Sequence, residues 1–298
     1  MGFWSDLLMV LWTDWLSGGS YDEDFFRICS HGTAEEVMYE LASGKSARAK
    51  DKNGKTALMY AAENNSDEEV LSVLINAGAN ISARTARGST ALHFAADNMS
   101  CNPKIIDVLI RAGIDVNSRG NEYKTPLMYA VSTHFDNSRN IKALISAGAD
   151  VEAECYVRRT TEELVIKKFL SVLMLAIYSN NVENVRAVIE AGADVNEQTF
   201  SFVRVRPKWY ERGNRMFDEP LVISVTPLIA AVNKKSGILE LLLDAGAEIN
   251  TRDREGYTAL GYARGLVPDF PGNEETARIL EARGARLSLH EKYRKEQG

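Results

Sequence analysis

The chain is 298 residues long, 45% apolar and 26% charged, the balance of a soluble globular protein rather than a disordered, collagenous or membrane-spanning one. Its 35 Lys and Arg against 41 Asp and Glu give a net charge of -6, which argues against bulk phosphate binding and hence against a nucleic-acid partner. Three widely spaced cysteines, Cys29, Cys101 and Cys155, are too few for a disulfide framework and read as reduced thiols of a cytoplasmic protein.

Residues 3 to 16 are strongly apolar, yet the first basic residue is Arg27, so the run lacks the positive flank of a secretory signal. Asp6 and Asp14 also leave it short of the roughly 20 apolar residues that span a bilayer. On a helix, Trp4, Leu8, Leu11 and Trp15 share one stripe. The expectation is a capping helix over residues 1–20, ending in a Gly18-Gly19-Ser20 hinge. The alternatives are a membrane-proximal or self-associating scaffold that uses the same apolar face.

Two signatures then alternate along the chain. One is Thr-x-Leu leading into small residues, at Thr56-Ala57-Leu58, Thr90-Ala91-Leu92-His93, Thr125-Pro126-Leu127, Thr226-Pro227-Leu228 and Thr258-Ala259-Leu260. The other is an apolar run closing on Ala-Gly, at Gly78, Gly113, Gly148, Gly192 and Gly246. The glycines at 44, 78, 113 and 148 are 34, 35 and 35 residues apart, the period of a two-helix unit. Thr caps the free N–H groups of a short first helix, Pro is tolerated in its first turn, and Gly ends the second helix in a left-handed conformation.

Asp51-Lys-Asn-Gly-Lys-Thr-Ala-Leu-Met-Tyr-Ala-Ala62 and Asp253-Arg-Glu-Gly-Tyr-Thr-Ala-Leu-Gly-Tyr-Ala263 resemble the turn and first helix of the ankyrin repeat family. The resemblance covers about residues 22 to 288 in about seven units. It implies an all-α repeat solenoid over residues 21–298, built of stacked helix-turn-helix units with β-hairpin fingers. The first unit and the last, with its charged tail, look like caps. His93, in the family's Thr-Pro-Leu-His position, is expected to hold backbone between hairpins.

Two fingers depart from the repeat. The helix-ending Gly and the turn position lie ten residues apart in regular units, but 21 after Gly148 and 32 after Gly192, giving insertions of 11 and 22 residues. Insertions in solenoids fall in loops on one face, often the binding face. The first, about 155–169, carries Arg158, Arg159, Lys167 and Lys168 around Glu162 and Glu163. In the second, about 199–223, Phe200, Phe202, Arg204 and Arg206 alternate with Ser201, Val203 and Val205, which predicts a strand paired with Leu221–Val225. Trp209 and Tyr210 add aromatic anchors of the kind interfaces favour. This hairpin is expected either to contact a partner or only to pack on neighbouring fingers.

The resemblance also implies contacts at the turn tips and on the exposed side of the first helices. Those positions are Lys52, Asn53, Lys55, Arg87, Ser89, Asp97 and Asn98, then Tyr123, Lys124, Thr133, Tyr178 and Asn233. No phosphate loop, nucleophile elbow or paired Cys/His metal motif accompanies them. Cys101 and Cys155, in expected loops, are the candidates for a reactive thiol. The expected activity is therefore binding another protein as a monomer, without catalysis or cofactor.

Overall fold

A computed structural model describes residues 21–100, 102–160, 164–205, 221–268 and 270–292. The expected capping helix at 1–20, Cys101, Arg206, Trp209 and Tyr210 lie outside these residues. The strands carrying residues 157–160, 164–168, 200–205 and 221–224 are described through backbone and register alone.

The chain forms two compact units, residues 1–120 and 121–298. The first unit holds α1 (Tyr21–His31), α2 (Ala34–Ala42), α3 (Ala57–Asn64), α4 (Glu68–Asn76), α5 (Ala91–Ala96) and α6 (Pro103–Arg111). The short first helices α1, α3 and α5 pack side by side, as do the second helices α2, α4 and α6. Buried alanines 61, 62, 95 and 96 permit the close approach, and Leu58, Leu71, Leu74, Leu92, Ile105 and Ile106 fill the space between the rows. Each fully buried aliphatic contributes about 1.5–3 kcal/mol relative to exposure.

The second unit repeats this arrangement with α7 (Pro126–Val131), α8 (Ser138–Ser146), α9 (Val172–Ser179), α10 (Val182–Glu190), α11 (Pro227–Ala231), α12 (Ser236–Asp244), α13 (Ala259–Ala263) and α14 (Glu274–Ala282). Between its helix pairs lie four strands, β1 (Glu154–Thr160), β2 (Leu164–Ser171), β3 (Thr199–Val205) and β4 (Leu221–Val225). The predicted pairing of the second insertion is present, with Phe202 opposite Val222 and Thr199 opposite Val225. The first insertion, expected to enlarge its finger, is a hairpin with Tyr156 opposite Phe169. β2 also pairs with β3, so two separate fingers make one antiparallel sheet, ordered β1-β2-β3-β4.

The helix ends follow the sequence signals. Gly78 takes φ 86° after α4, with open space where a Cβ would point, so its freedom serves the backbone alone. At the helix starts, the Thr N–H is met by a side chain three residues on. Thr56 donates to Met59 Sδ at 3.4 Å, and Thr90 donates to His93 Nδ1 at 3.1 Å. The final repeat does this differently. Gly261 stands at that fourth position, and the wholly buried Glu291, from beyond α14, accepts from Thr258 N at 2.7 Å. A Cβ on Gly261 would lie 1.7 Å from the Glu291 carboxylate, so glycine makes the opening that the C-terminal turn fills.

A ladder of buried amides stitches the first unit. Asn65 Nδ2 donates to Cys29 O at 3.0 Å and Gly32 O at 2.9 Å. Asn98 Nδ2 donates to Ala62 O at 2.9 Å and Asn65 O at 3.0 Å. Asn98 is therefore buried, as are Ser89 and Thr133, and none of the three lies on the exposed contact surface expected of them.

Candidate functional site

The tip of the first finger is built by one carboxylate. Asp51 Oδ1 accepts the N–H groups of Lys55 at 2.7 Å and Asn53 at 2.9 Å, and Oδ2 accepts the Tyr60 hydroxyl at 3.1 Å. Burial alone would raise the Asp51 carboxyl, but these donors outweigh it and hold it below its usual range. Asp253 repeats the device near the other end of the chain, accepting from Glu255 N, Tyr257 N and, at 2.7 Å, the Tyr262 hydroxyl. Lys52, Asn53 and Arg87 stand exposed at their tips. Ala86 N donates to Asn53 O at 3.0 Å, tying one finger to the next.

Lys55 is not at the tip's outer surface. Its ammonium pairs with Glu63 and sits 4.3 Å from the Tyr60 ring centroid and 4.6 Å from that of Phe94, a half-buried cation held by carboxylate and aromatic faces. Asp97 is exposed at the end of α5; partial burial of its carboxyl raises its pKa, and Glu63 adds to the effect. Between α1 and the first finger lies a groove of about 710 Å³, with Lys52 and Asn53 on its rim. Phe26, His31, Tyr60 and Asn64 also line it. The rings of Phe26 and Tyr60 stack there at 4.9 Å. Sequence reasoning passed over these aromatics, although Phe26, Tyr60 and Phe94 recur every 34 residues.

In the second unit Tyr123 occupies the turn position that glycine fills in regular fingers. It and Glu122 take φ 59° and 55°, left-handed values costly for side chains of this size. Tyr123 is 67% exposed, and its turn packs beside β1. Lys124 pairs with Glu122 at 3.1 Å. Tyr178 is partly exposed, with Lys234 Nζ 5.5 Å above its ring and its phenol raised by burial. Asn233 is exposed but its amide donates to Pro271 O at 3.2 Å, so it braces the last loop. Phe200, Phe202 and Arg204 share one side of β3, with Arg204 opposite Val165 and Phe202 opposite Lys167. The structure thus brings Tyr123 and the sheet together in one unit, and gathers Lys52, Asn53 and Arg87 in the other.

Of the two expected thiols only Cys155 lies among the described residues. Cys155 is buried in β1 rather than free in a loop, and burial raises its thiol, as it pushes Cys29 up to about 12. Among the described residues no group of His, Cys, Asp and Glu could hold a metal ion, and no helix is long and apolar enough to cross a membrane.

Family models for ankyrin repeats match residues 25–120, 102–199 and 225–254, leaving out most of the second insertion. The chain belongs to the ankyrin repeat family. The ankyrin repeat domain of human ASB11 has the same fold; at 19% identity it matches 89% of this chain and 99% of its own length, with a TM-score of 0.62. No curated protein matches the chain in sequence. Ankyrin repeats generally mediate protein–protein interaction, and the family is typically non-catalytic.

Proposed function

We propose that this ankyrin repeat protein is a non-catalytic cytoplasmic binder, an adaptor or inhibitor, that grips one protein partner through its finger tips and its enlarged hairpins. The observation carrying this reading is the joining of two separate insertions by the β2–β3 ladder, in a sheet whose β1 packs beside the Tyr123 turn held at left-handed φ. The repeat core needs neither feature, and strain of this kind persists where function requires the geometry. A preformed sheet loses little conformational entropy on binding, which favours affinity. Lys52, Asn53 and Arg87 supply a second set of polar contacts.

The test is capture from native extract with the full chain and two variants. One carries Phe200, Phe202 and Arg204 changed to Ala, the other Lys52, Asn53 and Arg87 changed to Ala. The expected result is one protein captured by the intact chain and lost with the sheet variant. Capture unchanged by either variant would overturn the assignment.

A further inference from the structure

The strand register sorts the sheet into two unlike sides. At its base the described side chains settle which side faces the core: Cys155, Leu170 and Thr199 are buried, whereas Glu154 and Phe169 on the other side are exposed. Continuing outward, the core-facing side carries mainly aliphatic positions, among them Val157, Ile166, Val203 and Ile223. The opposite side aligns Arg158, Lys167 and Phe202 in one row, Arg204 with Val165 in another, and Tyr156 with Phe169 nearer the base. The last two rings lie 5.3 Å apart, tilted by 50°.

The charge is equally unlike the rest of the chain. On the strand positions the basic residues are Arg158, Arg159, Lys167, Lys168 and Arg204, and the one acidic residue, Glu154, sits at the base. By the register Arg159 and Lys168 fall on the core-facing side, so the outward side carries Arg158, Lys167 and Arg204 against Glu154, a local +2 within a chain of net -6.

From this we infer that the outward side of the sheet binds an acidic, aromatic-bearing segment of a partner protein. The inference rests on the partner-binding reading above and names its chemistry. A positive patch on a negative protein selects acidic partners by charge complementarity. The aromatic positions between the cations give the segment side-chain contacts that a bare charge patch lacks. The overall negative charge disfavours a nucleic acid, whose phosphates would meet repulsion beyond the patch.

The experiment is fluorescence anisotropy with the full chain and four labelled probes. These are a peptide alternating Glu with Tyr, a Glu/Ser peptide of equal charge, a Lys/Tyr peptide, and a single-stranded oligonucleotide of equal charge. The Glu/Tyr peptide should bind at least about tenfold more tightly than each of the others, and weaken as salt is raised. Arg158→Gln, Lys167→Gln and Arg204→Gln together should cost that binding about tenfold or more, while Arg158→Lys with Arg204→Lys should keep most of it. Should the Gln variant not fold, the salt series on the unaltered chain and the Lys variant still decide the matter. Salt-insensitive binding, equal binding of the Lys/Tyr peptide, or an oligonucleotide bound as tightly would overturn the inference. If a native partner is lost with the sheet variant yet the Glu/Tyr peptide does not bind, the acidic chemistry fails and the partner-binding reading stands; if both are negative, both fail.

Discussion

The regular fingers, such as those of Asp51 and Asp253, and the enlarged fingers of the second unit solve the same problem by different means. A regular finger is a tight turn closed by its own side chain, as Asp51 gathers two backbone donors and a tyrosine hydroxyl, and it reaches its neighbour through point contacts such as Ala86 N to Asn53 O and Arg84 Nη1 to Arg119 O. The enlarged fingers are antiparallel strand pairs. They hold their form by pairing with one another, five register pairs joining β2 to β3. Local closure makes each tip independent, whereas the ladder makes two tips one surface. A partner meeting the first unit finds separate polar points, and one meeting the second finds a continuous sheet.

The largest expected effect breaks the ladder. Val203 pairs with Ile166 on one side and Leu221 on the other, so proline there removes a central-strand hydrogen bond and stiffens φ. Val203→Pro should cost about 2–3 kcal/mol of local stability, read as a loss of about 100-fold in amide protection across β2, β3 and β4. The amides of α9 should keep theirs. Unchanged protection in β2 would mean that the two fingers hold independently after all.

A smaller effect belongs to the regular finger. Asp51→Ala removes one acceptor of three hydrogen bonds and should cost about 1 kcal/mol in urea melts. Its pH dependence has a definite sign. The folded carboxyl lies below its ordinary 3.8, so its contribution is present above that value and is lost as pH falls through the folded pKa. Asp253→Ala should cost a similar amount in urea melts at neutral pH, because the same device closes its finger. Equal acid sensitivity of Asp51→Ala and the unaltered chain would separate the carboxylate from the stability of the turn.

The comparison also explains what could be read in advance. Helix pairs, caps and the glycines after them are written locally, in residues such as Thr56 and Gly78, and the structure has them where the spacing puts them. The β3–β4 hairpin was legible because phenylalanine and arginine alternate cleanly with small and aliphatic residues from 200 to 205. For the first enlarged finger the repeat spacing gave the hairpin but not its strands, since Arg158-Arg159 and Lys167-Lys168 place like residues side by side and blur the period of two. The β2–β3 pairing joins segments about 30 residues apart with a helix pair between them, and no local pattern encodes it. Asn98 and Thr133 misled because a polar residue in a loop looks solvated. The carbonyls of Ala62 and Asn65 that make burial of Asn98 favourable come from the preceding repeat. Tyr123 was chosen as a contact, but its left-handed backbone shows only in three dimensions.

The smallest expected effect lies where the two kinds of construction meet. Ser171 ends β2 and caps α9, donating its N–H-accepting hydroxyl's proton to Glu197 just ahead of β3. Burial pushes the Glu197 carboxyl up to about 7; the Ser171 hydroxyl pulls it down, and Glu152, Asp194 and Glu154 push it further up. The folded state therefore holds a proton that the unfolded chain releases near 4.5. The stability this group contributes is full below 4.5, falls as pH rises, and is gone above about 7. Glu197→Gln keeps an oxygen for Ser171 and discards the charge, so it should flatten that slope. The variant should be more stable than the unaltered chain at alkaline pH by about 0.5 kcal/mol, well below full linkage because the group is partly open to water. Parallel melts of the two proteins across this range would show instead that the charge is solvated at no cost. The sheet's attachment to the repeat would then be insensitive to pH, unlike the acid-sensitive finger of Asp51.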